Sequence, residues 1–332
     1  MQGVAVVGTG HWGKNHARVY KELMSEGLID DLKICDLDEH RVKQWGETLE
    51  VEYATSYRDL IEDDDIQAVS IVTPSKTHYQ IAKKFMEAGK DVLVEKPMTM
   101  DVDEARRLVE IAANNNRILM VGHIFRFHPA VCELKHMIDT GALGEIQNMI
   151  GTRLYFGLPR RDMGVIYALG IHELDIFCYL LDAEYPESLT AACSRSCSQN
   201  IEETAQIFMD FGHAKGYAFE SWLVAAYGKV RDLIVVGSKG SVRVDYLTPR
   251  ELYMFDNRIV TEGGIPVSVE DEGKRTISIP NAEPLKDELK HFISCIVSRQ
   301  DPLSDGAVGL RAVVMAEAAL MSAKTGNMIV LP

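Results

Sequence analysis

The sequence predicts an α/β protein of two domains: a doubly wound parallel sheet at the N-terminal end, then an α+β domain on a large open mixed or antiparallel sheet. Three observations carry this expectation. A chain of 332 residues exceeds what one ordinary core sustains, since single cores stop growing at about 250–300 residues. The first third alternates short β-branched runs with amphipathic stretches, the pattern of strands and crossover helices. After about residue 123 the apolar pattern changes from helical spacing to strict alternation.

The N-terminal strands are read at VAVVG (4–8), LKICD (32–36), AVSIVTP (68–74), DVLVEKP (91–97) and ILMVGH (118–123). Between them lie helical stretches such as HARVYKELMSEGL and THYQIAKKFMEAG, the second stopped by Gly89. Beyond a helix at 129–140 come the alternating runs IQNMIGTRLYF, ESLTAACSRS, TAQIFMDFG, GYAFESWLV, RDLIVVGSKGSVRVDYL and ELYMFD, with Gly-containing turns at FGHAKG and GSKG. A helical insertion at about 162–182 precedes most of them. Two amphipathic helices, PLKDELKHFISCIV and GLRAVVMAEAALMSAKTG, end the chain and fit on either domain. The expected division is 1–122 and 123–332, with the C-terminal helices able to pack back on the first domain.

A formal net charge of −14 and the lack of any Lys or Arg run argue against nucleic acid as a partner. The six cysteines, Cys35, Cys132, Cys178, Cys193, Cys197 and Cys295, show neither zinc nor redox spacing, so no metal is expected and a reducing compartment is. The opening MQGVAVVG leaves no room for a leader, and no apolar run approaches the length of a membrane span. The expected location is the cytoplasm.

GTGHWG places Gly8, Gly10 and Gly13 between a strand and a helix. In that context Gly8 serves the tight turn, Gly10 lets the backbone approach a pyrophosphate, and Gly13 brings helix close to strand. His11 and Trp12 are taken with the glycines as cofactor-facing. Asp36 ends the second strand, where a carboxylate accepts from the adenosine ribose hydroxyls and repels a 2′-phosphate, so NAD is favoured over NADP. Arg41 lies close in sequence to this carboxylate.

At VEKPM the chain resembles the Gfo/Idh/MocA family of sugar and inositol oxidoreductases. The likeness extends through GTGHWGKNHAR, VTPSKTHY, EKP, GHIFRFHPAV, GVIYALGIHELD, VRDLIVVGSKGSVRVDY and PLKDELKHFISCI. Its opening, the RFxPA segment and the stretch ending at Arg231 are most similar to the branch that oxidises C3 of UDP-N-acetylhexosamines or their uronic acids. The resemblance implies that Thr73, Pro74 and His78 border the cofactor, that Glu95 lies near the nicotinamide ribose, and that Lys96 touches cofactor and substrate. All these residues fall at the carboxyl ends of strands, where open α/β sheets bind ligands.

The stretch GVIYALGIHELD puts His172 and Asp175 within one helical turn. A zincin would need a second histidine four residues on, and that position is Ile176. A histidine satisfied in a core and an acid–base histidine both remain. The resemblance favours the second, with Lys96 and His172 as base and partner, Asp175 beside the substrate, and Arg126, His128, Arg160 and Arg161 as substrate-binding candidates. It also exposes a departure. The family's usual aspartate four residues before this histidine is here Ala168, so reduced activity is an expectation. The implied substrate is a nucleotide sugar and the implied assembly a homodimer or homotetramer. The alternatives are an inositol or free-sugar dehydrogenase, and a non-catalytic protein that senses dinucleotide or sugar.

Overall fold

The computed structural model describes residues 3–198, 200–248 and 250–332. In chain order its elements begin β1 (Gly3–Val7), α1 (Gly13–Ser25), β2 (Asp31–Cys35), α2 (Glu39–Leu49), β3 (Glu52–Ala54), α3 (Tyr57–Ile61), β4 (Ile66–Ile71) and α4 (His78–Glu87). They continue with β5 (Asp91–Glu95), α5 (Val102–Asn114), β6 (Leu119–Gly122), α6 (Pro129–Asp139), β7 (Ile146–Leu154), α7 (Ile171–Leu181), β8 (Ser188–Ser194), β9 (Thr204–Asp210) and β10 (Lys215–Ser221). The last are β11 (Val230–Gly237), β12 (Gly240–Asp245), β13 (Glu251–Glu262), β14 (Ile265–Ser278), α8 (Pro284–Ser298), α9 (Gly306–Thr325) and β15 (Ile329–Val330). Two compact units result: one runs through Phe127 and takes in Glu283–Val313, the other comprises His128–Ala282 and Val314–Pro332.

The first unit is a six-stranded parallel sheet in the order β3-β2-β1-β4-β5-β6. Val4 and Val6 of β1, Ile34 of β2 and Leu93 of β5 are fully or almost fully buried, as strands covered on both faces require. The edge strand β3 escaped the sequence reading because it is three residues long and shows no apolar alternation. Helix α8 belongs to this unit: Leu289, Phe292 and Ile296 join Tyr20 and Leu23 of α1 in its core.

The second unit is a nine-stranded sheet, β14-β13-β12-β11-β7-β10-β9-β8-β15, antiparallel except for the parallel pair β10 and β7. Along β7, Met149, Gly151 and Arg153 point to the covered face while Ile150 is 38% exposed on the other. Helix α7 crosses that covered face where two strands lack side chains. A Cβ on Gly151 would stand 2.3 Å from Glu173 Cγ, and one on Gly216 of β10 would stand 2.7 Å from Phe177 Cδ2. These two glycines set the depth of α7 on the sheet. A turn of π-helix, Ile166–Gly170, leads into α7, so the insertion read as one helix is two, and residues 168 and 172 do not keep the regular α spacing.

Among the described residues one helix passes the length and composition test for a membrane span. Helix α9, with 20 residues, has a stretch of mean hydropathy 1.4 and is long and apolar enough to cross a membrane by length and composition. More than half of that stretch is buried inside the protein, as in a core helix, while Glu317 and Lys324 are exposed.

Candidate cofactor and substrate residues

In the first unit the residues form around the carboxyl ends of β1, β2, β4 and β5. Gly8 has φ +99°, the left-handed region, and a Cβ there would lie 2.7 Å from the carbonyl oxygen of Val72. At Gly13 a Cβ would stand 1.7 Å from Gly8 O, so α1 packs directly on the turn. At Gly10 a Cβ would meet nothing within 4 Å. The backbone there is open, at the N-terminal end of α1, as the approach of a pyrophosphate requires, and the residues present fit a dinucleotide.

Asp36 follows β2. Its Oδ2 accepts from Thr9 N (2.7 Å) and Thr9 Oγ1 (3.0 Å), and its Oδ1 from Asp38 N (3.0 Å). Burial pushes its pKa up, but these donors and the Arg41 guanidinium outweigh burial and hold it below the usual carboxylate range. Arg41 reaches Asp36 at 3.3 Å and Asp38 at 2.9 Å, so its charge is already matched by two carboxylates and offers little to a 2′-phosphate.

Glu95 ends β5 and is 8% exposed. It accepts from Trp12 Nε1 (2.8 Å) and Lys96 N (3.2 Å), and lies 3.1 Å from His16 Nε2. Burial raises its pKa, while His16, Trp12 and the Lys96 charge bring it below the ordinary value. The two ring nitrogens of His78 lie 2.9 Å from Pro97 O and 2.8 Å from Thr73 O, so this buried ring ties the end of β4 to the segment that carries Lys96. Lys96 is half-buried, Pro74 and His11 exposed.

In the second unit His172 is 7% exposed and Asp175 3%, both at the start of α7. Under that turn lies a charged cluster that the sequence reading missed. Arg153 of β7 donates from Nε to Glu173 Oε1 at 2.6 Å, both side chains being 2% exposed, and its guanidinium lies 5.0 Å from the centre of the Tyr246 ring. Burial opposes the Arg153 charge, and Glu173, Tyr246 and Glu220 more than offset it. Glu220 of β10 is fully buried, no hydrogen bond of normal geometry reaches either carboxyl oxygen, and burial beside Glu173 pushes its pKa well above the usual range. A signal existed: Arg153 and Glu220 stand at the apolar parity of their strands, in step with Met149 and Ala218.

The substrate-binding candidates do not share one environment. Arg126, buried in the first unit, donates to Leu303 O at 2.9 Å. Arg160 pairs with Asp162 through Nε (2.9 Å) and Nη2 (2.7 Å), and Arg161 is exposed. His128, 5% exposed, meets the Tyr246 ring edge-on at 5.3 Å, and burial together with Arg153 pushes its pKa down to about 4.

A glycine turn that opens a helix N-terminus, with a carboxylate at the end of the neighbouring strand of a parallel sheet, is the arrangement of a dinucleotide-binding domain. Residues 2–123 match the model of the oxidoreductase family with an NAD-binding Rossmann fold, and residues 131–243 match the GFO/IDH/MocA C-terminal domain. The chain belongs to the Gfo/Idh/MocA family. It is similar to the UDP-N-acetylglucosamine 3-dehydrogenase of Acidithiobacillus ferrooxidans, 28% identical over 313 residues that cover 94% of each chain. A solved structure of that enzyme superposes with a TM-score of 0.81 at 26% identity over 96% of each chain. The scyllo-inositol 2-dehydrogenase of Bacillus subtilis is 27% identical over 90% of this chain and 87% of its own. A levoglucosan dehydrogenase solved with NADH and levoglucosan shares the fold, with a TM-score of 0.87 at 20% identity, covering 100% of this chain and 99% of that one.

Proposed function

We propose that the protein is a sugar dehydrogenase that oxidises the C3 hydroxyl of a UDP-N-acetylhexosamine, or of its uronic acid, to a ketone. The observation that carries this reading is the likeness to UDP-N-acetylglucosamine 3-dehydrogenase along nearly the whole of both chains. Bound nicotinamide supplies the hydride acceptor. The chain's own residues do the rest. Gly10 and the N-terminus of α1 receive the pyrophosphate, Asp36 accepts from the adenosine ribose, and Glu95 fixes Trp12 and His16 beside Lys96. Lys96 and His172 are assigned the hydroxyl proton, as base and partner, with Asp175 on the substrate.

The second reading, an inositol dehydrogenase, is favoured by relatives of that activity at nearly equal identity. A sensor without turnover is favoured by Ala168. We place the protein in the cytoplasm, in keeping with its six free cysteines, and as a homodimer or homotetramer, in keeping with Ile150 and Tyr217 exposed on the sheet.

The test is NADH formation with NAD and, in turn, UDP-N-acetylglucosamine, its uronic acid, myo-inositol and scyllo-inositol, using wild type and Lys96→Ala. The expected result is turnover of a UDP-sugar that Lys96→Ala loses while it still binds NADH. Turnover of inositols alone would move the assignment to the second reading, and binding without turnover to the third.

A further inference from the structure

Strand register places two arginines side by side. Arg231 of β11 is the direct partner of Arg153 on β7, and Glu220 of β10 is the partner of Arg153 on the other side. Directly opposed residues of neighbouring strands project to one face, so Glu220, Arg153 and Arg231 form a row. It lies on the face that α7 covers, in step with the buried Gly151–Leu233 and Met149–Val235 pairs.

The charges in this row are not paired one to one. Glu173 is committed to Arg153. Glu220 makes no ion pair among the described residues, and burial beside Glu173 pushes its pKa well above the usual range. Asp232 points to the opposite face and pairs with Arg243 at 2.9 Å, and Arg160 is matched by Asp162. Among the described residues no ion pair or hydrogen bond forms on the Arg231 guanidinium, although the residue is half-buried. Lys229, exposed two residues before it, adds a second cation without an ion-pair partner among those residues. Like charges on directly opposed strand residues are destabilising, and a structural core would relieve them.

We propose that Arg231, with Lys229 and Tyr155 beside it, is the subsite that receives the anionic group of the substrate, an oxyanion carried as a diphosphate or as a sugar carboxylate. The electrostatics agree. Burial and Arg153 both lower the affinity of Arg231 for its proton, Arg231 in turn lowers that of Lys229, and Tyr155, raised by burial, feels both Arg231 and Arg160. An oxyanion at this end of β7 and β11 supplies the missing countercharge. The half-buried guanidinium offers it the planar fork of donors that suits phosphate and carboxylate. The subsite stands at the strand end where Glu173, next in sequence to His172, meets the sheet.

This inference rests on the reading of the protein as a sugar dehydrogenase and narrows its substrate to an anionic one. Arg231→Gln, Arg231→Lys and Lys229→Gln are compared with wild type by calorimetric titration in the presence of NAD. The probes are UDP-N-acetylglucosamine, UDP and glucuronic acid, with N-acetylglucosamine and myo-inositol as neutral controls. Arg231→Gln is expected to weaken the anionic probe that binds wild type by roughly 10- to 100-fold, with partial recovery in Arg231→Lys and a smaller loss, about 3-fold, in Lys229→Gln. NADH affinity should be unchanged, and Tm without ligand should not fall, because a like-charge contact is removed. Binding of UDP identifies the diphosphate as the source of the anion, and binding of glucuronic acid the carboxylate. Unchanged affinity for the anionic probe in Arg231→Gln, or a lower Tm with equal loss for charged and neutral probes, overturns the subsite. If a UDP-sugar is oxidised equally well by Arg231→Gln, the subsite falls and the proposed function stands. If Arg231→Gln loses UDP binding in a protein that turns over no sugar, the subsite stands and the proposed function falls.

Discussion

Gly10→Ala and Gly13→Ala are the same chemical change within one turn of chain and are expected to fail in opposite ways. At Gly13 the added methyl carbon starts 1.7 Å from the carbonyl oxygen of Gly8 and 2.7 Å from its carbon. Ordinary carbon–oxygen contacts lie at about 3.3–3.6 Å, so α1 must lift from the turn by roughly 1.6 Å. Overpacking of a well-packed site costs about 1–3 kcal/mol and occasionally more. With both partners backbone the upper end applies, and about 2–4 °C per kcal/mol for a domain of this size gives a fall in Tm of roughly 6–12 °C. At Gly10 the methyl meets nothing within 4 Å, so the fold is undisturbed and Tm should move by less than about 2 °C. On the proposed reading the same methyl stands in the approach of the pyrophosphate, and NADH affinity should fall at least about 10-fold, or about 1.4 kcal/mol. Thermal melts without ligand and NADH fluorescence titrations separate the two effects. Wild-type NADH affinity in Gly10→Ala would mean that the phosphates do not pass over this glycine, and a wild-type melt for Gly13→Ala would refute the packing argument.

Three further outcomes follow from the same geometry. Asp36→Ala should narrow a preference for NAD over NADP of at least about 10-fold, since it removes the repelling carboxylate and leaves Arg41 with Asp38 alone; equal affinities already in wild type would sink this account. Ala168→Asp should raise kcat by about 10-fold or more with little change in KM where the π-helical turn still brings the new carboxylate to His172, because it then stabilises charge that develops in the transition state; single-turnover hydride transfer no faster than wild type would show that the turn carries it away. Glu288, buried in α8 with neither carboxyl oxygen hydrogen-bonded, has its pKa raised well above the usual range by burial and by Glu95. The folded state then holds a proton that the unfolded state releases, so stability is lost as pH rises above the unfolded value near 4.3, toward the raised folded value. Glu288→Gln should therefore melt higher than wild type at pH 8 and almost equally at pH 4, and a parallel offset at both pH values would contradict it.

What the sequence disclosed and what it withheld divide along a physical line. Signals confined to a short segment were legible: the strand–turn–helix glycines, the strand-end Asp36, and the alternation of Val and Ile runs with amphipathic helices. Properties that depend on remote partners were not. The amphipathic face of PLKDELKHFISCIV shows that α8 packs on something, but only the structure shows Phe292 beside Tyr20 and Leu23. The three residues of β3 carry no pattern because an edge strand of that length has no buried face to record. The extra residue in the turn at Ile166–Gly170 leaves no mark on a periodicity read at 3.6 residues, so position 168 was placed one regular turn below His172. The charged cluster required strand register. Arg153, Glu220 and Arg231 come from three separate runs, and a shift of one residue in any of them would send its side chain to the opposite face.

That register also bears on substrate choice, because the fold itself serves sugars and polyols alike. Within the second unit the Arg153 charge is spent on Glu173, and among the described residues no ion pair forms on Arg231. A neutral polyol seated there would strip water from a guanidinium without returning a countercharge, and loss of hydration without a partner is the costly case for any buried ion. An anionic sugar replaces that water with charge-assisted hydrogen bonds. At the proposed subsite the same arginine would therefore attract one class of substrate and penalise the other, and discrimination between them would need no difference in the contacts made at the reacting hydroxyl. Replacing Arg231 by glutamine removes both halves of this effect: affinity for the anionic sugar falls while the barrier to neutral polyols is lowered, so specificity should relax by more than either affinity changes alone.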